Sequence, residues 1–306
     1  MESWIEDVIA LILNYNTSAM TIECVDNLLK ISSDLRIVVV DNCSTDGSLM
    51  KLYENYRENI RIRIIKNDKN VGYAQGNNVG IRFIRESFKD AKYVIVLNPD
   101  IVVKNEITLY KLKHVLENNN DYAVSSCQII LNDQWRGFEQ FAWKFPDRKQ
   151  LMWAGTFAQR LFLNGPNKTY DSLMLKNGVA EVDIVAGCFF MAKLDELKKI
   201  SDFDERTFLY FEETILAKKL AGNNKREVVL IGEYVNHNHV EKDRALKDYR
   251  KKLFDRKCFQ NAKMVYIEHY AEIPGIRNIC KIINKVDYSL KALLYAGIIP
   301  AITKNR

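Results

Sequence analysis

Amides, carboxylates and hydroxyls follow each of four apolar runs in the first hundred residues. Asn14-Tyr15-Asn16 follows VIALIL, and Asp41-Asn42 with Ser44-Thr45-Asp46-Gly47 follows RIVVV. Asn67-Asp68 and Asn70-Val71-Gly72 follow RIRII, and Asn98-Pro99-Asp100 is set into VIVLNPDIVV. Any one of these is ordinary turn chemistry. If the apolar runs are neighbouring parallel strands, however, their polar ends gather along one edge, where α/β proteins hold ligands. The chain lacks a Gly-x-Gly-x-x-Gly after its first apolar run and lacks a Gly-x-x-x-x-Gly-Lys-Ser/Thr, so a dinucleotide fold and a P-loop are disfavoured. A diphosphate held without such a cradle needs a divalent cation, Mg2+ or Mn2+, bound by one or two carboxylates and by the phosphates, and Asp100 is placed for that role.

Three further groups carry potential chemistry. Glu212 and Glu213 are adjacent in YFEET, and neighbours in a helix do not share a face, so only one can enter a given cleft. The alternative is a solvated acidic first turn, favoured by the helix dipole. His237 and His239 in YVNHNHV stand two apart, as metal ligands on one strand face would, or as a surface or core pair. Trp135, Phe138, Phe141, Trp143 and Trp153 could stack on sugars or form the core of a small subdomain.

The elements that must position these groups alternate regularly. Strands are predicted at 8–13, 36–40, 61–65 and 93–97, and helices at 18–31, 44–56 and 73–88. Ser44 or Asp46 is the expected N-cap of the second helix, and Val79, Phe83 and Ile84 mark one face of the third. This pattern implies a mainly parallel sheet with helices on both faces. Later, 123–131 and 181–193 read as strands, 212–222 as a helix with Leu216 and Leu220 inward and Gly222 as C-cap, and 227–235 as a strand. The aromatic and basic stretch 133–162 is too long for a passive loop and reads as a binding loop or subdomain.

The 306 residues suit one large α/β domain or two smaller ones, and 47% hydrophobic with 27% charged residues is globular composition. Six scattered cysteines form no Cys-x-x-Cys pair, which points to reduced thiols in a cytoplasmic protein. The acidic N-terminus has no basic n-region, so a secretory signal is not expected, and no uncharged apolar run is long enough to span a bilayer. Residues 242–306 hold 15 Lys/Arg against 6 Asp/Glu in a protein of net charge +6. Ile279, Ile282, Ile283, Val286, Leu290, Leu293 and Leu294 keep helical spacing there, with Lys281 and Lys285 off the stripe. This is either an interfacial helix on anionic lipid or a helix packed on protein, its own domain or a second copy. No nucleic-acid recognition motif accompanies the basic residues, so nucleic acid is not an expected partner.

LILNYNT, IVVVDNCSTDGS, NDKNVGYAQGNNVGI, VLNPDIVV, VDIVAGCFFMAK and FDERTFLYFEET occur in the order and spacing of a family 2 inverting glycosyltransferase of the GT-A fold. The chain most resembles bacterial rhamnosyltransferase-like enzymes of surface-polysaccharide assembly, over residues 8 to about 240. The resemblance implies a Rossmann-like, mainly parallel sheet, with residues 1–120 as the nucleotide-sugar half. It implies 121–241 as the acceptor-binding and catalytic half, with 242–306 as a basic helical extension. The implied donor is a dTDP or UDP sugar, rhamnose or another hexose, and the implied acceptor a lipid-linked saccharide. Asn14 and Asn16 would flank the base, Asp41 would bond the base or ribose, and Asn77 would line the donor cleft. Asn98 and Asp100 stand where the family has its Asp-x-Asp metal motif, Glu213 where it has the general base, and His237, or else His239, where it often has a metal-side histidine. Asp183, Glu212 and Trp153 are the acceptor-side candidates. The chain departs from the family in Asn98, which leaves one carboxylate in the metal motif, and in a glutamate at the base position. These departures leave a non-catalytic sugar-nucleotide binder as an alternative. A nucleotidyltransferase is another, although LILNYNT lacks the glycine-rich basic loop such enzymes show.

Overall fold

The structure, a computed structural model, describes residues 4–135, 137–165, 167–238 and 249–304. The chain forms two compact units. The first comprises Met1–Lys144, Thr169–Glu205 and Glu212–His239, and the second Phe145–Lys168, Arg206–Phe211 and Val240–Arg306.

The first unit opens with β1 (Val8–Asn14), α1 (Ser18–Ile31), β2 (Arg36–Asp41), α2 (Ser48–Tyr56), β3 (Ile62–Lys66), α3 (Gly72–Ser87) and β4 (Tyr93–Leu97). It continues with β5 (Ile101–Val103), α4 (Glu106–Glu117), β6 (Tyr122–Leu131), a 3-10 turn at Phe138–Gln140 and β7 (Ala142–Trp143). Helices α5 (Arg148–Trp153) and α6 (Gln159–Phe162) fall in the second unit. The first unit resumes with β8 (Leu175–Lys176), β9 (Val179–Val182), β10 (Ile184–Val185), β11 (Phe189–Lys193), α7 (Leu194–Lys199), α8 (Glu212–Gly222) and β12 (Arg226–His237). Helices α9 (Tyr249–His269) and α10 (Ile276–Lys304) complete the second unit.

Ten strands form one sheet whose path runs β3-β2-β1-β4-β11-β6-β12-β9-β8, with β5 pairing β12 off that path. β3, β2, β1 and β4 are parallel, and β11 joins β4 and β6 antiparallel. Residues Val8 to Ile12 and Ile37 to Val40 are all fully buried, as befits parallel strands covered on both faces. Register places Asn14 beside Asp41 and Asp41 beside Lys66, so the polar strand ends do gather along one edge.

Three local expectations change. The second helix begins at Ser48 with Gly47 at its N-cap (φ 81), so Ser44 and Asp46 lie before it. Asp46 still accepts from the Ser48 amide at 3.0 Å. The inward face of α3 runs through Gly76, Gly80, Ile81 and Ile84, while Val79 and Phe83 are only half-buried. A Cβ on Gly80 would lie 2.3 Å from Leu11 Cδ1 and one on Gly76 2.7 Å from Leu13 Cδ1, so the glycines let the helix press onto β1. The expected strand 181–193 is three strands in two sheets, because β10 leaves to pair with β7 and the chain bends at Gly187-Cys188 before β11.

In the second unit, Asp287 is fully buried and binds Arg256, Gln260 and the Phe157 amide. A buried charge of this kind holds only with such partners. Gly155 (φ 75) lies so close to Phe259 that a Cβ there would sit 2.4 Å from its ring. The Cys280 thiol reaches the Leu151 carbonyl at 3.3 Å, which ties α10 to α5.

Candidate active site

Asn14 is fully enclosed at the end of β1. Its amide nitrogen donates to Asp41 Oδ1 at 2.7 Å and to Ser44 Oγ at 3.1 Å. Its oxygen accepts from Thr17 and Thr21 at 3.0 and 2.8 Å. Its side chain therefore braces Asp41, whose other oxygen accepts from the Ser44 amide at 3.0 Å. Asn16 takes left-handed backbone (φ 56), an angle asparagine tolerates, and its oxygen accepts from the Thr45 amide at 2.8 Å. Asn42 binds Asn67, Asn70, Val71 and Gly72 and so fixes the loop before α3. The edge is preorganised by hydrogen bonds among its own polar residues.

At the end of β4, the Asn98 amide donates to the Cys188 carbonyl at 2.9 Å, and the Asn98 carbonyl accepts from Ile101 at 3.2 Å. This tight turn sends β5 against β12, with Ile101 opposite His237. His237 Nε2 consequently lies 3.1 Å from Asp100 Oδ2. Burial acts to lower the His237 pKa, but its bonds to Asp100 and Cys188 outweigh this and lift it to about 10. His239 lies outside the described residues. The Asp100 carboxylate suits Mn2+ or Mg2+, and His237 could join it as a ligand only by giving up its ring proton as the metal binds. Among the described residues no group of three or more His, Cys, Asp or Glu side chains is arranged to hold a metal. Asp100 and His237 would therefore be partial ligands, fitting a cation whose remaining positions are filled by phosphate oxygens or water.

The two adjacent glutamates part company in α8. Glu212 is 4% exposed, whereas Glu213 is half-buried and lies over Gly187. A Cβ on Gly187 would lie 3.6 Å from both Glu213 Cβ and Glu213 Oε2. Desolvation holds the Glu213 carboxyl above its ordinary pKa. Gly187 also accepts from the Tyr73 hydroxyl at 2.6 Å. Asn77 donates to the Tyr73 carbonyl at 3.0 Å, and its own Oδ1 is buried with no partner among the described residues. A donor on a ligand would satisfy that oxygen, whose burial is otherwise costly.

Tyr73, Gly187, Cys188 and Glu227 were not singled out from the sequence. Glu227, on β12, is 3% exposed and accepts from the Val185 amide at 2.7 Å. Burial, with added repulsion from Glu213 and Asp183, raises its carboxyl to about 8. A lone carboxylate at the head of the apolar run VVLI was the available signal. Asp183 is half-buried, and its amide donates to the Tyr170 hydroxyl at 2.7 Å. Trp153 belongs to the second unit, where its ring stacks on Phe162 with centroids 4.2 Å apart. Trp135, Phe138 and Phe141 pack on one another in the first unit, where Phe141 is buried, Phe138 half-buried and Trp135 exposed.

The model for glycosyl transferase family 2 matches residues 9–181. Rhamnosyltransferase WbbL of Escherichia coli K12 is 25% identical over 152 residues, which are 49% of this chain and 54% of WbbL. The chain thus matches about half the length of that relative. Low-salt glycan biosynthesis hexosyltransferase Agl10 of Haloferax volcanii is 23% identical over 300 residues, covering 97% of this chain and 84% of Agl10. Among solved structures, mannosyltransferase PcManGT of Pyrobaculum calidifontis, in complex with GDP-Man and Mn2+, superposes with a TM-score of 0.56 at 15% identity. The superposition covers 97% of this chain and 75% of PcManGT. The architecture shared is the GT-A fold.

Proposed function

The chain belongs to glycosyl transferase family 2 and is a glycosyltransferase, and from that premise we propose that it is an inverting enzyme with Glu213 as its general base. The donor is a dTDP or UDP sugar carrying rhamnose or another hexose. The acceptor is a hydroxyl of a saccharide, lipid-linked, in the assembly of a bacterial surface polysaccharide. The reading of the donor and acceptor rests on the resemblance to rhamnosyl- and hexosyltransferases.

One observation carries the mechanism. Glu213 lies over Gly187, and the next residue, Cys188, bonds His237 beside Asp100. The base and the metal-side pair therefore flank one two-residue bend. The acceptor oxygen attacks the anomeric carbon as its bond to the diphosphate oxygen breaks. The acceptor proton passes to the Glu213 carboxylate, which burial makes a stronger proton acceptor than an exposed glutamate. The nucleoside diphosphate leaves from the opposite face, and the anomeric configuration inverts. Asp41, braced by Asn14, orients the nucleoside, with Asn16 and Asn77 along the donor cleft. Asp100 and His237 hold the diphosphate side, with Asn98 beside them in the same turn. A divalent cation held there would offset the charge growing on the leaving diphosphate. Asp183 and Glu212 are assigned to the acceptor side.

Thermal unfolding with millimolar UDP or dTDP, with and without Mn2+, tests the donor assignment, because a ligand of the native state raises the Tm. A rise for one of the two, larger with Mn2+, is expected. No rise with either contradicts it. The anomeric configuration of product formed from the corresponding sugar nucleotide tests inversion.

A further inference from the structure

The second unit carries a groove between α9 and α10 with a volume of about 310 Å³. Lys257, Lys281 and Lys285 line it, together with Asn284, Tyr288 and Ser289. Lys281 also reaches Glu268 at 3.2 Å, whereas Lys257 and Lys285 have no acidic partner among the described residues. Asn284 is 7% exposed, and neither its amide nitrogen nor its oxygen has a partner among the described residues. A buried amide left so is costly unless a ligand supplies the missing bonds.

The next sector of α10 is apolar and open. Ile282 is 66% exposed, Val286 50% and Leu293 70%, with Leu290 and Leu294 beside them. These positions recur at helical spacing, and Lys281 and Lys285 border them on the groove side. The opposite side of the helix is already used, because Ile276, Cys280 and Asp287 are buried. Exposed apolar stripes of this length are unusual on a surface with no partner. A stripe bordered by lysines is complementary to a surface that is apolar within and anionic at its rim. A bilayer of anionic lipid has that character. Among the described residues no helix is long and apolar enough to cross a membrane.

We propose that the α9–α10 pair docks the protein on an anionic lipid surface. The stripe from Ile282 to Leu294 enters the headgroup boundary, and the Lys257–Lys285 groove takes a lipid phosphate with Asn284 as a hydrogen-bond partner. The stripe supplies affinity by burying apolar area, and the lysines select negative headgroups. The proposal does not depend on the donor or acceptor of the transfer reaction.

Sedimentation of the full chain with vesicles tests it. Vesicles of phosphatidylcholine alone are compared with vesicles containing phosphatidylglycerol. The protein is expected to pellet with the anionic vesicles and to remain largely in the supernatant with the neutral ones. The double change Lys257→Glu and Lys285→Glu should weaken binding at least about tenfold. The triple change Ile282→Ser, Val286→Ser and Leu293→Ser should weaken it comparably, even where salt is low. All five residues lie on the surface, so an unchanged Tm verifies that the variants fold. Wild-type protein that ignores anionic vesicles overturns the proposal, as do variants that pellet like wild type. If the triple change instead converts a dimer to a monomer in analytical ultracentrifugation without altering vesicle binding, the stripe joins two copies and the proposal is wrong.

Discussion

Glu213 stands over a residue with no side chain: a Cβ added at Gly187 would lie 3.6 Å from its Oε2. That distance is ordinary van der Waals contact, so Gly187→Ala fits. Its stability should stay within about 0.5 kcal/mol of wild type. Gly187→Leu extends beyond that contact and displaces the carboxylate. Misplacing a reacting group by an ångström is enough to cut kcat about 100-fold. Steady-state kinetics of the two variants, with their melting curves, check this. A fully active Gly187→Leu would separate the bend from the chemistry.

Asp100 and His237 face each other across the β5–β12 ladder at 3.1 Å. Asp100 supplies the only carboxylate of the Asn98-Pro99-Asp100 turn. Asp100→Ala should therefore abolish the Mn2+-dependent part of the nucleotide-induced rise in Tm and lower turnover by at least about 100-fold. Asn98→Ala should cost less, since an amide oxygen is a weaker ligand than a carboxylate. A Mn2+ effect that survives Asp100→Ala would move the metal elsewhere.

Glu227 gives a prediction in pH. Burial lifts its carboxyl to about 8, against 4.5 for an exposed glutamate. The folded protein retains a proton that the unfolded chain has released, so stability falls as pH rises from about 4.5 through about 8. Once the group is fully ionised the cost is roughly 4 to 5 kcal/mol. Glu227→Gln keeps an oxygen for the Val185 amide and removes the titration. Its Tm should match wild type at about pH 4.5, exceed it by a growing margin between about pH 5 and 8, and keep a constant margin above that. A difference that stays flat from pH 5 to 9 would contradict the burial argument.

The parts of this site legible in the sequence are those in which one segment states its own role. The apolar runs ending in Asn14, Asp41, Asn67 and Asn98 required parallel strands with a shared polar edge, and the register has it so. Contacts between distant segments were not legible. Nothing local to EVDIVAGCFF shows that β10 leaves for β7 and that Gly187 will carry Glu213. The face of α3 was misjudged because periodicity weighs side chains, and here the absent side chains of Gly76 and Gly80 set the packing. Asn14 shows the same limit: the resemblance implied that it flanks a base, and nothing in LILNYNT shows the four hydrogen bonds through which its amide also braces Asp41, Ser44, Thr17 and Thr21.

The comparison of Glu213→Gln with Glu212→Gln tests the central assignment most directly. Each change preserves size and removes a proton acceptor, and the two residues are adjacent in α8. Glu213 is half-buried over Gly187, whereas Glu212 is enclosed. With kcat measured at saturating donor and acceptor, Glu213→Gln should lose at least about 100-fold, the usual scale of a general base. Its donor-induced rise in Tm should be unchanged, and Glu212→Gln should retain most of its turnover. An inactive Glu212→Gln beside an active Glu213→Gln would assign the base to the wrong carboxylate. Activity in both would mean that neither glutamate accepts the proton.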